Sequence, residues 1–578
     1  MARASEGIWM WDAIDSSNFV DHACIVMALG DMLGSAKLNG MSGHSAFCGD
    51  RFTLVQGAKA SITKGAKSQY YPFSPPESEK FNPERPLYDL NHLPMRTQSE
   101  YWKIIHMIDS APTKAEKARI SKSTGVVRLP LCAASVAFIH PSFFPIDPFH
   151  LFYENCAAFI WDIWVQFSKA DEIFHLNEEQ RREFGACISD SMNTLPPIFC
   201  GPVRDPYLSR NSQYKIYEWM ALVHWYIIPI GLELGFNSIV LSNFTDFVNV
   251  IEFAMTVKDR TEQDLKDIKT LIIKFLKQFE DLYVHGVPEN ISRNRLCIFQ
   301  LIHIPLHIKW NGSVRVGSQA TVERGIGEMG RKIRSKKAPF ANLANQIFDK
   351  ELIKILMLYY PDLDTERKNV DATQFKLMQK QKVSHKHVDQ RVNKEIEAIG
   401  NRLGKNVQEE NIPYERWGKL KLKNGKVLQS ELSISKSKSS RISPWFEVCK
   451  LRIKYKFKVK YSTLQTHDNL NQPISHITFG KALAFYELKV DEKQIFLVVY
   501  NALSDVTRPL GQIRGQWQTS ISVLEIEFVQ DIVGIWVSPK KAERVYVLRK
   551  HPGLEMLTSN ECGIEDEDKE SWEPEDDI

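Results

Sequence analysis

The hydrophobic periodicity of this chain changes near residue 412, and this change restricts the fold more than any other feature. Before it, apolar residues recur at the spacing of an amphipathic helix in FHLFYENCAAFIWDIWVQFSKA (149–170), DLKDIKTLIIKFLKQFEDLYVHG (264–286) and NQIFDKELIKILMLYY (345–360). After it, short segments such as RVYVLRK (544–550) indicate strands, and Asn424-Gly425 indicates a hairpin turn. We therefore predict a helical region followed by a separate β-rich domain, for which a small barrel is one architecture.

The remaining segments suggest where the domain boundaries lie. DHACIVMALGD (21–31) has the composition of a buried strand that ends at Asp31, and residues 55–100, rich in Pro, Tyr and Ser, are typical of an irregular loop or insertion. Residues 366–412 are highly charged and indicate a linker or an exposed helix. For a chain of 578 residues, two or more domains are expected. The predicted segments are 1–146 with its loop insertion, 147–365 helical, 366–412 linker, 413–558 β-rich and 559–578 acidic tail.

The charge is unevenly distributed along the chain. Residues 565–578 carry nine acidic side chains and one lysine, a net −8, so the remainder carries +12 of a total formal charge of +4. A basic body with an acidic tail suits a polyanionic partner, for whose surface the tail could compete. Equally, such an imbalance often serves only to keep a protein soluble.

Cysteine usage and hydropathy restrict the compartment. The nine cysteines are scattered with no CxxC pair, and no signal peptide is recognisable, so a reducing compartment, cytosol or nucleus, is expected. The most apolar run, LCAASVAFIHPSFFPI (131–146), is too short to span a bilayer and is interrupted by His140 and prolines. No membrane role is predicted.

Asp147 and His150 in FPIDPFHLFYEN lie three residues apart at the predicted start of a helix. On a helix, that spacing brings a carboxylate and an imidazole to the same side, where they could share a metal ion or orient a water or a phosphate. The alternative is that Asp147 caps the helix and Pro148 occupies its first position, which is a good local fit. Spacing alone favours the cap without excluding the site.

His303 and His307 in CIFQLIHIPLHIKW have the i, i+4 spacing that would present both rings together, as a zinc pair requires. Pro305 lies between them and argues against an undisturbed helix. Two histidines in an apolar segment are more often core or capping residues. The spacing by itself therefore favours a structural role.

Glu323 in GSQATVERGIGEMGRKIRSKK (317–337) heads a segment that becomes strongly basic. It is either an ordinary first-turn acid, favoured by the helix dipole, or one ligand of a metal ion. Phosphodiester chemistry needs at least two or three such oxygens around the cation. The nearby cations are candidate phosphate contacts or a solvated face: Arg324, Arg331, Lys332, Arg334, Lys336 and Lys337.

A second basic surface is predicted on the strand 450–460, where Lys or Arg occupies every other position. The cations on this face are Lys450, Arg452, Lys454, Lys456, Lys458 and Lys460. They could contact nucleic acid, or they could protect an exposed edge strand from aggregation. Six such positions exceed what edge protection normally needs, which favours a polyanion contact.

The order of these segments along the chain matches a known family. The series Asp31…HSAFC…DPFH…LPPIFCGPVRDP…YKIYEW…IHIPLH…VERGIG…APFANLANQ resembles the transposases of CACTA (En/Spm-type) DNA elements, most closely the fungal branch. The resemblance covers about residues 20–362. Residues 413–556 resemble the domain that follows in those proteins.

This resemblance implies an α/β fold with a ribonuclease H-like core that is interrupted by a large α-helical insertion. Three acids of such a core would bind two Mg²⁺ or Mn²⁺ ions for DNA strand cleavage and transfer. By position, Asp31 matches the second acid and Glu323 the third. Asp147 and His150 match a D-x-x-H motif between them, which under another alignment is itself the site of the second acid.

The chain departs from the family pattern at two places. His303 and His307 match a histidine pair that would bind Zn²⁺ together with a CxxC, but only Cys48 of that motif is present and Arg51 occupies the second position. Three ligands would hold zinc poorly. The family's first catalytic acid lies on a strand well upstream of Asp31, and this sequence starts after that point.

We therefore expect a partial ribonuclease H-like core in an N-terminally truncated, transposase-derived protein of the nucleus that binds DNA and lacks strand-transfer activity. Its Mg²⁺ or Mn²⁺ site would be incomplete without the first acid, and its Zn²⁺ site would lack a ligand. A domesticated DNA- or chromatin-binding protein without catalysis is the alternative. A third possibility is an active recombinase completed by upstream sequence or by an oligomeric partner, and a homo-oligomeric state is left open.

Overall fold

The protein is a mixed α/β structure with 47% helix and 20% strand. The computed structural model describes residues 5–12, 14–59, 69–74, 85–209, 214–331, 333–335, 337–360, 363, 375–381, 390–434, 441–451 and 475–551. The chain forms two compact units. Unit 1 is Met1–Glu183, Ser209–Pro339 and His551–Leu557, and unit 2 is Phe184–Leu208, Phe340–Lys550 and Thr558–Ile578.

Unit 1 is mainly helical in its described part. It begins with an antiparallel hairpin of β1 (Ile8–Asp12) and β2 (Ser17–Asp21). The helices along the chain as far as residue 359 are α1 (Met32–Leu38), α2 (Gln98–Ser110), α3 (Lys114–Thr124), α4 (Ala158–Val165), α5 (Glu178–Ser191), α6 (Pro206–Ser209), α7 (Ile216–Ala221), α8 (Ile227–Leu234), α9 (Ser238–Met255), α10 (Glu262–Tyr283), α11 (Leu296–Gln300), α12 (Ile304–Asn311), α13 (Ala320–Arg331) and α14 (Pro339–Tyr359). Of these, α5, α6 and α14 lie mostly in unit 2. π-Helical turns, Phe149–Ala157 and Leu222–Tyr226, lead into α4 and α8.

The predicted amphipathic helices are confirmed, and α10 shows why. Thr261 accepts a hydrogen bond from Asp264 N while the Asp264 carboxylate accepts one from Thr261 N, a reciprocal capping box. The helix ends at Tyr283, followed by Gly286 at φ +64° and Pro288, as the sequence predicts. Its buried face holds Tyr283, whose hydroxyl accepts a hydrogen bond from Trp164 Nε1 at 2.9 Å.

The prediction of a buried strand over 21–31 is wrong. Residues 22–31 are irregular, with Ile25 40% and Val26 61% exposed. A strand needs a partner to take up its backbone hydrogen bonds. The described part of the chain offers residues 22–31 no neighbouring strand, because β1 pairs only with β2. By contrast, the described residues between 55 and 97 contain isolated bridges and turns, as the loop prediction requires.

Unit 2 is built around a ten-stranded antiparallel sheet. Its strands are β3 (Lys376–Gln381), β4 (Tyr414–Lys421), β5 (Val427–Gln429), β6 (Trp445–Leu451), β7 (Ser475–Val490), β8 (Lys493–Thr507), β9 (Ile513–Glu525), β10 (Val529–Ile532), β11 (Gly534–Val537) and β12 (Arg544–Leu548). The order is β10-β6-β7-β8-β9-β12-β11, and β4 pairs with β3, β5 and the second half of β7. The predicted hairpin is confirmed, with Gly425 at φ +81° between β4 and β5.

The range predicted as a charged linker contributes to this sheet. β3 forms an edge next to β4, and helix α15 (Gln390–Leu403) buries Val392, Ile396 and Ile399 against β7 and β8 residues. The high charge of this range suggested that all of it is exposed, but only one face of α15 is polar. Its buried Glu395 is neutralised by Arg416 of β4, with N–O distances of 2.9 and 2.8 Å.

The boundary predicted at residue 147 also differs from the structure. Residues 184–208, assigned to the helical region from their sequence, belong to unit 2. Arg441 donates hydrogen bonds to the carbonyls of Leu195, Pro196 and Cys200 at 2.9–3.1 Å. Thr194 Oγ1 donates to the Ile535 carbonyl at 2.6 Å. Hydrophobic periodicity does not predict these hydrogen bonds to backbone carbonyls.

Two further sequence predictions concern the basic strand and membranes. Of the predicted strand 450–460, Lys450 lies at the end of β6, where only its backbone is described, and Arg452, Lys454, Lys456 and Lys458 lie outside the described residues. In the described part of the chain, no helix combines the length and apolar character needed to cross a bilayer.

Candidate functional site

Asp31 lies at the start of α1 and not at the end of a strand. Its carboxylate accepts a hydrogen bond from Gly34 N, so it acts as the N-cap of that helix. The side chain is half-buried, and Asp31 lines a cavity. Asp31 therefore lines a cavity, but it is positioned there as a helix N-cap and not as the end of a strand.

Asp147 and His150 form a pair at the start of the π-helical turn Phe149–Ala157. The buried Asp147 carboxylate contacts His150 Nδ1 and also accepts a hydrogen bond from Phe149 N at 3.0 Å. His150 Nε2 lies 3.4 Å from the Glu154 carboxylate, one turn further along. One oxygen of the Asp147 carboxylate thus accepts a hydrogen bond from the backbone, as the capping interpretation predicts, and the other contacts the imidazole of His150.

Asp31 and His150 line the same cavity of about 570 Å³. Its wall also carries Glu154, Asp162 and Arg295. The cavity therefore combines three carboxylates with two imidazoles, those of His44 and His150, and one guanidinium, all from unit 1. Such a mixture of charges can bind a polar ligand through both signs. Glu154 lies at the i+4 position from His150, a spacing that the sequence shows, and Asp162 lies on the helix that continues this segment, whereas Arg295 is brought to the cavity by tertiary packing.

The helix that carries Glu323 begins beside Asp147. Gln319 N, just before α13, donates to Asp147 Oδ1 at 3.4 Å. A β-carbon at Gly317 would lie 2.6 Å from the Ile146 carbonyl oxygen, so this close approach of two backbones requires glycine. The side chains of Glu323 and Arg324 lie outside the described residues, as do Lys332 and Lys336. Those of Arg331, Arg334 and Lys337 are exposed.

The described donors do not fit a preformed Mg²⁺ or Mn²⁺ site. Among the side chains that the structure describes, which exclude that of Glu323, no three acidic, histidine or cysteine groups converge closely enough to hold a metal ion. The Asp31 carboxylate already accepts a hydrogen bond from Gly34 N. The Asp147 carboxylate already accepts one from Phe149 N and contacts His150. A divalent cation of this class needs several free oxygens.

The residues matched to a zinc site do not fit zinc either. Cys48 Sγ donates to the Ser123 carbonyl at 3.3 Å, and His303 Nε2 donates to Asp50 Oδ2 at 3.0 Å. His307 is buried, and neither of its ring nitrogens has a hydrogen-bond partner among the described residues. Both imidazoles pack on the ring of Phe52, at centroid distances of 5.0 and 4.6 Å. Cys48 and His303 are thus turned to Ser123 and Asp50, and no three potential ligands converge among the described residues as a tetrahedral site requires.

Asp50 and Arg51 occupy the position where the zinc motif would lie. Asp50 is fully buried; burial alone would raise its pKa, but His303, a hydrogen bond from Thr53 and the Arg96 charge lower it to about 2. Burial lowers the pKa of Arg51 to about 10, opposed by the charges of Asp50 and Asp31, so Arg51 stays cationic at neutral pH. Charged side chains of the protein thus occupy the place where the sequence motif would hold a zinc ion. The sequence interpretation noted Arg51 as a departure but missed Asp50 beside it.

The pH dependence of stability is expected to include a contribution from His140, which stacks on Tyr101 with ring centroids 4.0 Å apart. Burial, followed by the Arg96 and Arg51 charges, lowers its pKa from 6.5 to about 3. The unfolded state therefore binds the proton more strongly, and stability falls as the pH drops from 6.5 towards 3. The slope for one such group is about 1.4 kcal/mol per pH unit. The variant His140→Phe keeps a stacked ring and should remove this slope in urea unfolding measured at several pH values.

The control for this measurement is His106→Phe, because His106 is an exposed residue of α2. This variant should leave the dependence of unfolding free energy on pH unchanged. An acid-side slope that is the same in His140→Phe and in the unmodified protein would contradict the assignment.

No protein-family model matches the chain, and no curated protein matches it.

Proposed function

We propose that the chain is a transposase-derived nuclear protein that binds DNA and does not cleave or transfer DNA strands. One observation carries this proposal: Asp31 and His150, which match separate motif positions of the transposase resemblance, line one cavity. The Glu323 helix begins against Asp147, the partner of His150. This grouping of residues that are far apart in the chain supports the proposal of a common catalytic ancestry.

The same proposal includes the finer description of the fold. Residues 1–146 would derive from part of a ribonuclease H-like core, and the helices from 147 to 365 from its insertion. The described residues of 1–146 contain a two-stranded hairpin and isolated bridges, and no larger sheet, so this part of the proposal is supported by the order of the sequence motifs alone.

Lack of catalysis is proposed on chemical grounds. Two-metal phosphoryl transfer needs carboxylate oxygens that are free to bind cations. The oxygens of Asp31 and Asp147 take part in helix capping and in the His150 pair. No catalytic step is therefore assigned to these residues. Their arrangement supports a site that has kept its shape and has exchanged metal ligation for internal hydrogen bonds.

DNA binding is proposed for the basic segment after α13. Arg331, Arg334 and Lys337 are exposed, and cations at such positions are typical phosphate contacts. The variant with all three changed to Gln should bind duplex DNA more weakly. Its plot of log affinity against log salt should lose a slope of about 2.7, or 0.9 for each phosphate contact. Fluorescence anisotropy with a labelled duplex over a series of salt concentrations measures both quantities.

A matched control changes three exposed lysines of unit 1, Lys258, Lys266 and Lys277, to Gln. Its salt slope should equal that of the unmodified chain. Equal slopes in all three proteins would remove the basic segment from the interface. Cleavage assays with Mg²⁺ or Mn²⁺ test the second half of the proposal, and metal-dependent strand cleavage that Glu323→Gln abolishes would overturn it.

A further inference from the structure

Two cysteines of unit 1 lie in contact beside the cavity that Asp31 and His150 line. Cys156 belongs to the π-helical turn Phe149–Ala157 and Cys297 to helix α11, and these two elements pack together. The Cys156 thiol donates a hydrogen bond to the Cys297 carbonyl oxygen at 3.3 Å. Both cysteines are free, and they are 141 positions apart in the sequence. The tertiary structure therefore brings together two thiols that have no spacing signal.

The two cysteines differ in their access to the cavity. Cys297 lines it and retains 4% exposure, whereas Cys156 is 0% exposed and does not belong to the cavity wall. The same wall includes the exposed residues His44, Ser45 and Glu154, so the cavity is open to solvent. A solute close to a water molecule in size would therefore meet Cys297 first, with Cys156 held next to it.

The surroundings of the pair favour a thiolate on Cys297 and a neutral thiol on Cys156. A hydrogen bond with Cys156 lowers the pKa of Cys297; burial opposes this shift, and the Arg295 charge and the Ile298 N–H support it. Burial, followed by the same hydrogen bond, raises the pKa of Cys156 well above its usual value. The thiolate is the nucleophile in cysteine chemistry, so Cys297 is the more reactive of the two. At a purely structural cysteine in an apolar environment, burial raises the pKa.

We propose that Cys156 and Cys297 form a redox-sensitive dithiol, which hydrogen peroxide converts reversibly to a disulfide. The Cys297 thiolate attacks one oxygen of the peroxide, the O–O bond breaks, and the departing hydroxide takes up the proton that Cys297 lost. Cys297 is thereby oxidised to a sulfenic acid, and the peroxide is reduced to water. The Cys156 sulfur then attacks the Cys297 sulfur, the S–O bond breaks, and the released hydroxide takes the Cys156 proton. Two thiols and one peroxide thus give one disulfide and two waters.

The disulfide would join two parts of the cavity region. Cys156 lies on the same π-helical turn as His150 and Glu154, and Cys297 lies on α11, so the bond would hold this turn against that helix. In the reducing compartment that the cysteine pattern predicts, small thiols would return the pair to the dithiol and would themselves be oxidised to a disulfide. The pair lies within unit 1, and its oxidation does not depend on the DNA binding proposed above.

The test exposes the folded full chain to hydrogen peroxide at neutral pH, alkylates the remaining thiols and maps peptides by mass spectrometry without reduction. We expect a linked peptide pair that contains Cys156 and Cys297, is lighter than the separate peptides by two hydrogen atoms and is separated by dithiothreitol. In Cys156→Ser the linked pair should be absent, and dimedone should trap Cys297 as its sulfenic acid. In Cys297→Ser, Cys156 should stay reduced. The control Cys132→Ser removes a less buried cysteine and should leave the linked pair unchanged.

A second measurement follows stability. The disulfide should raise the urea midpoint of the oxidised chain by about 1 M, and dithiothreitol should reverse this shift. Cys132→Ser should show the same shift, and Cys156→Ser and Cys297→Ser should show none.

Peroxide that oxidises the exposed Cys24 but leaves Cys156 and Cys297 as thiols would overturn the proposal. So would a main disulfide between Cys297 and any other cysteine, or dimedone labelling of Cys156 in place of Cys297. These outcomes are read in the unmodified chain and therefore hold even if a serine variant does not fold. The readouts involve no DNA, so failure of the duplex proposal leaves this inference unaffected.

Discussion

Replacing Asp50 by alanine is expected to lower the free energy of unfolding of unit 1 by about 3–5 kcal/mol, since the change removes one partner of a buried charge cluster. The Asp50 carboxylate accepts hydrogen bonds from Thr53 N at 2.9 Å, Thr53 Oγ1 at 2.6 Å and His303 Nε2 at 3.0 Å. Its loss would also leave the buried cations Arg51 and Arg96 without their nearest anion. Urea unfolding, combined with hydrogen exchange of α2 and α12 peptides, measures the effect.

The control is Asp89→Ala. Asp89 forms an aspartate–histidine pair with His92 at 2.6 Å, but these side chains are 56% and 85% exposed. A much smaller loss than that of Asp50→Ala is expected there, because solvent screens exposed pairs. Similar losses in the two variants would show that the Asp50 cluster does not stabilise unit 1. A melting temperature that falls on addition of EDTA would show that a metal ion, and not Arg51, neutralises this place.

The stabilisation by Asp50 has a defined pH range. Because its pKa in the folded state is lowered to about 2 from 3.8, the folded protein holds the carboxylate ionised more readily than the unfolded chain does. The contribution is therefore complete above pH 3.8 and is lost as the pH falls through 2.

The second large effect is expected from Arg416→Met in unit 2, again a loss of about 3–5 kcal/mol. Arg416 neutralises Glu395, which is 0% exposed and also accepts a hydrogen bond from Tyr486 Oη at 2.5 Å. Methionine fills much of the arginine volume but leaves the carboxylate without its bidentate partner. Calorimetric unfolding and hydrogen exchange of α15 peptides should report the loss. Exchange is informative because α15 reaches the sheet partly through this pair.

Arg402→Met is the matched control, since Arg402 also lies on α15 and pairs with Glu525 of β9 at 2.8 Å. That pair is 50% and 29% exposed, so its loss should cost at most about 1 kcal/mol. Unchanged protection of α15 in Arg416→Met would mean that the structure of residues 390–403 does not depend on the buried pair.

The features that the sequence predicted well depend on neighbouring residues. The helix boundaries at Thr261, Gly286 and Pro288 follow from capping and from backbone preferences within one turn. The break at Pro305 is of the same kind, since a short 3₁₀ turn, Leu301–His303, precedes a new helix with this proline in its first turn. The turn at Gly425 also needed no distant contact.

The predictions that failed concerned segments whose structure depends on distant partners. The apolar run 21–31 is a strand in composition, but strand formation needs a second strand at the right place. The charged range 366–412, predicted as a linker or an exposed helix, contains an edge strand and a helix whose inner face is buried, with Glu395 paired to Arg416. The contacts of Cys48, His303 and His307, for which the sequence favoured a structural role or an incomplete zinc site, also depend on distant residues: the first two turn to Ser123 and Asp50, and the third has no hydrogen-bond partner among the described residues.

By itself, then, the sequence determined the periodic elements, the caps and turns between them and the division into a helical and a β-rich part. The tertiary structure decided which polar groups meet: Asp50 with His303, Asp31 with His150 at one cavity, and Cys156 with Cys297 beside that cavity. The physical reason is the range of the interactions. Helix and turn preferences act over a few residues, whereas the partner of a buried charge is set by how the whole chain packs, and Asp50 and His303 are 253 positions apart.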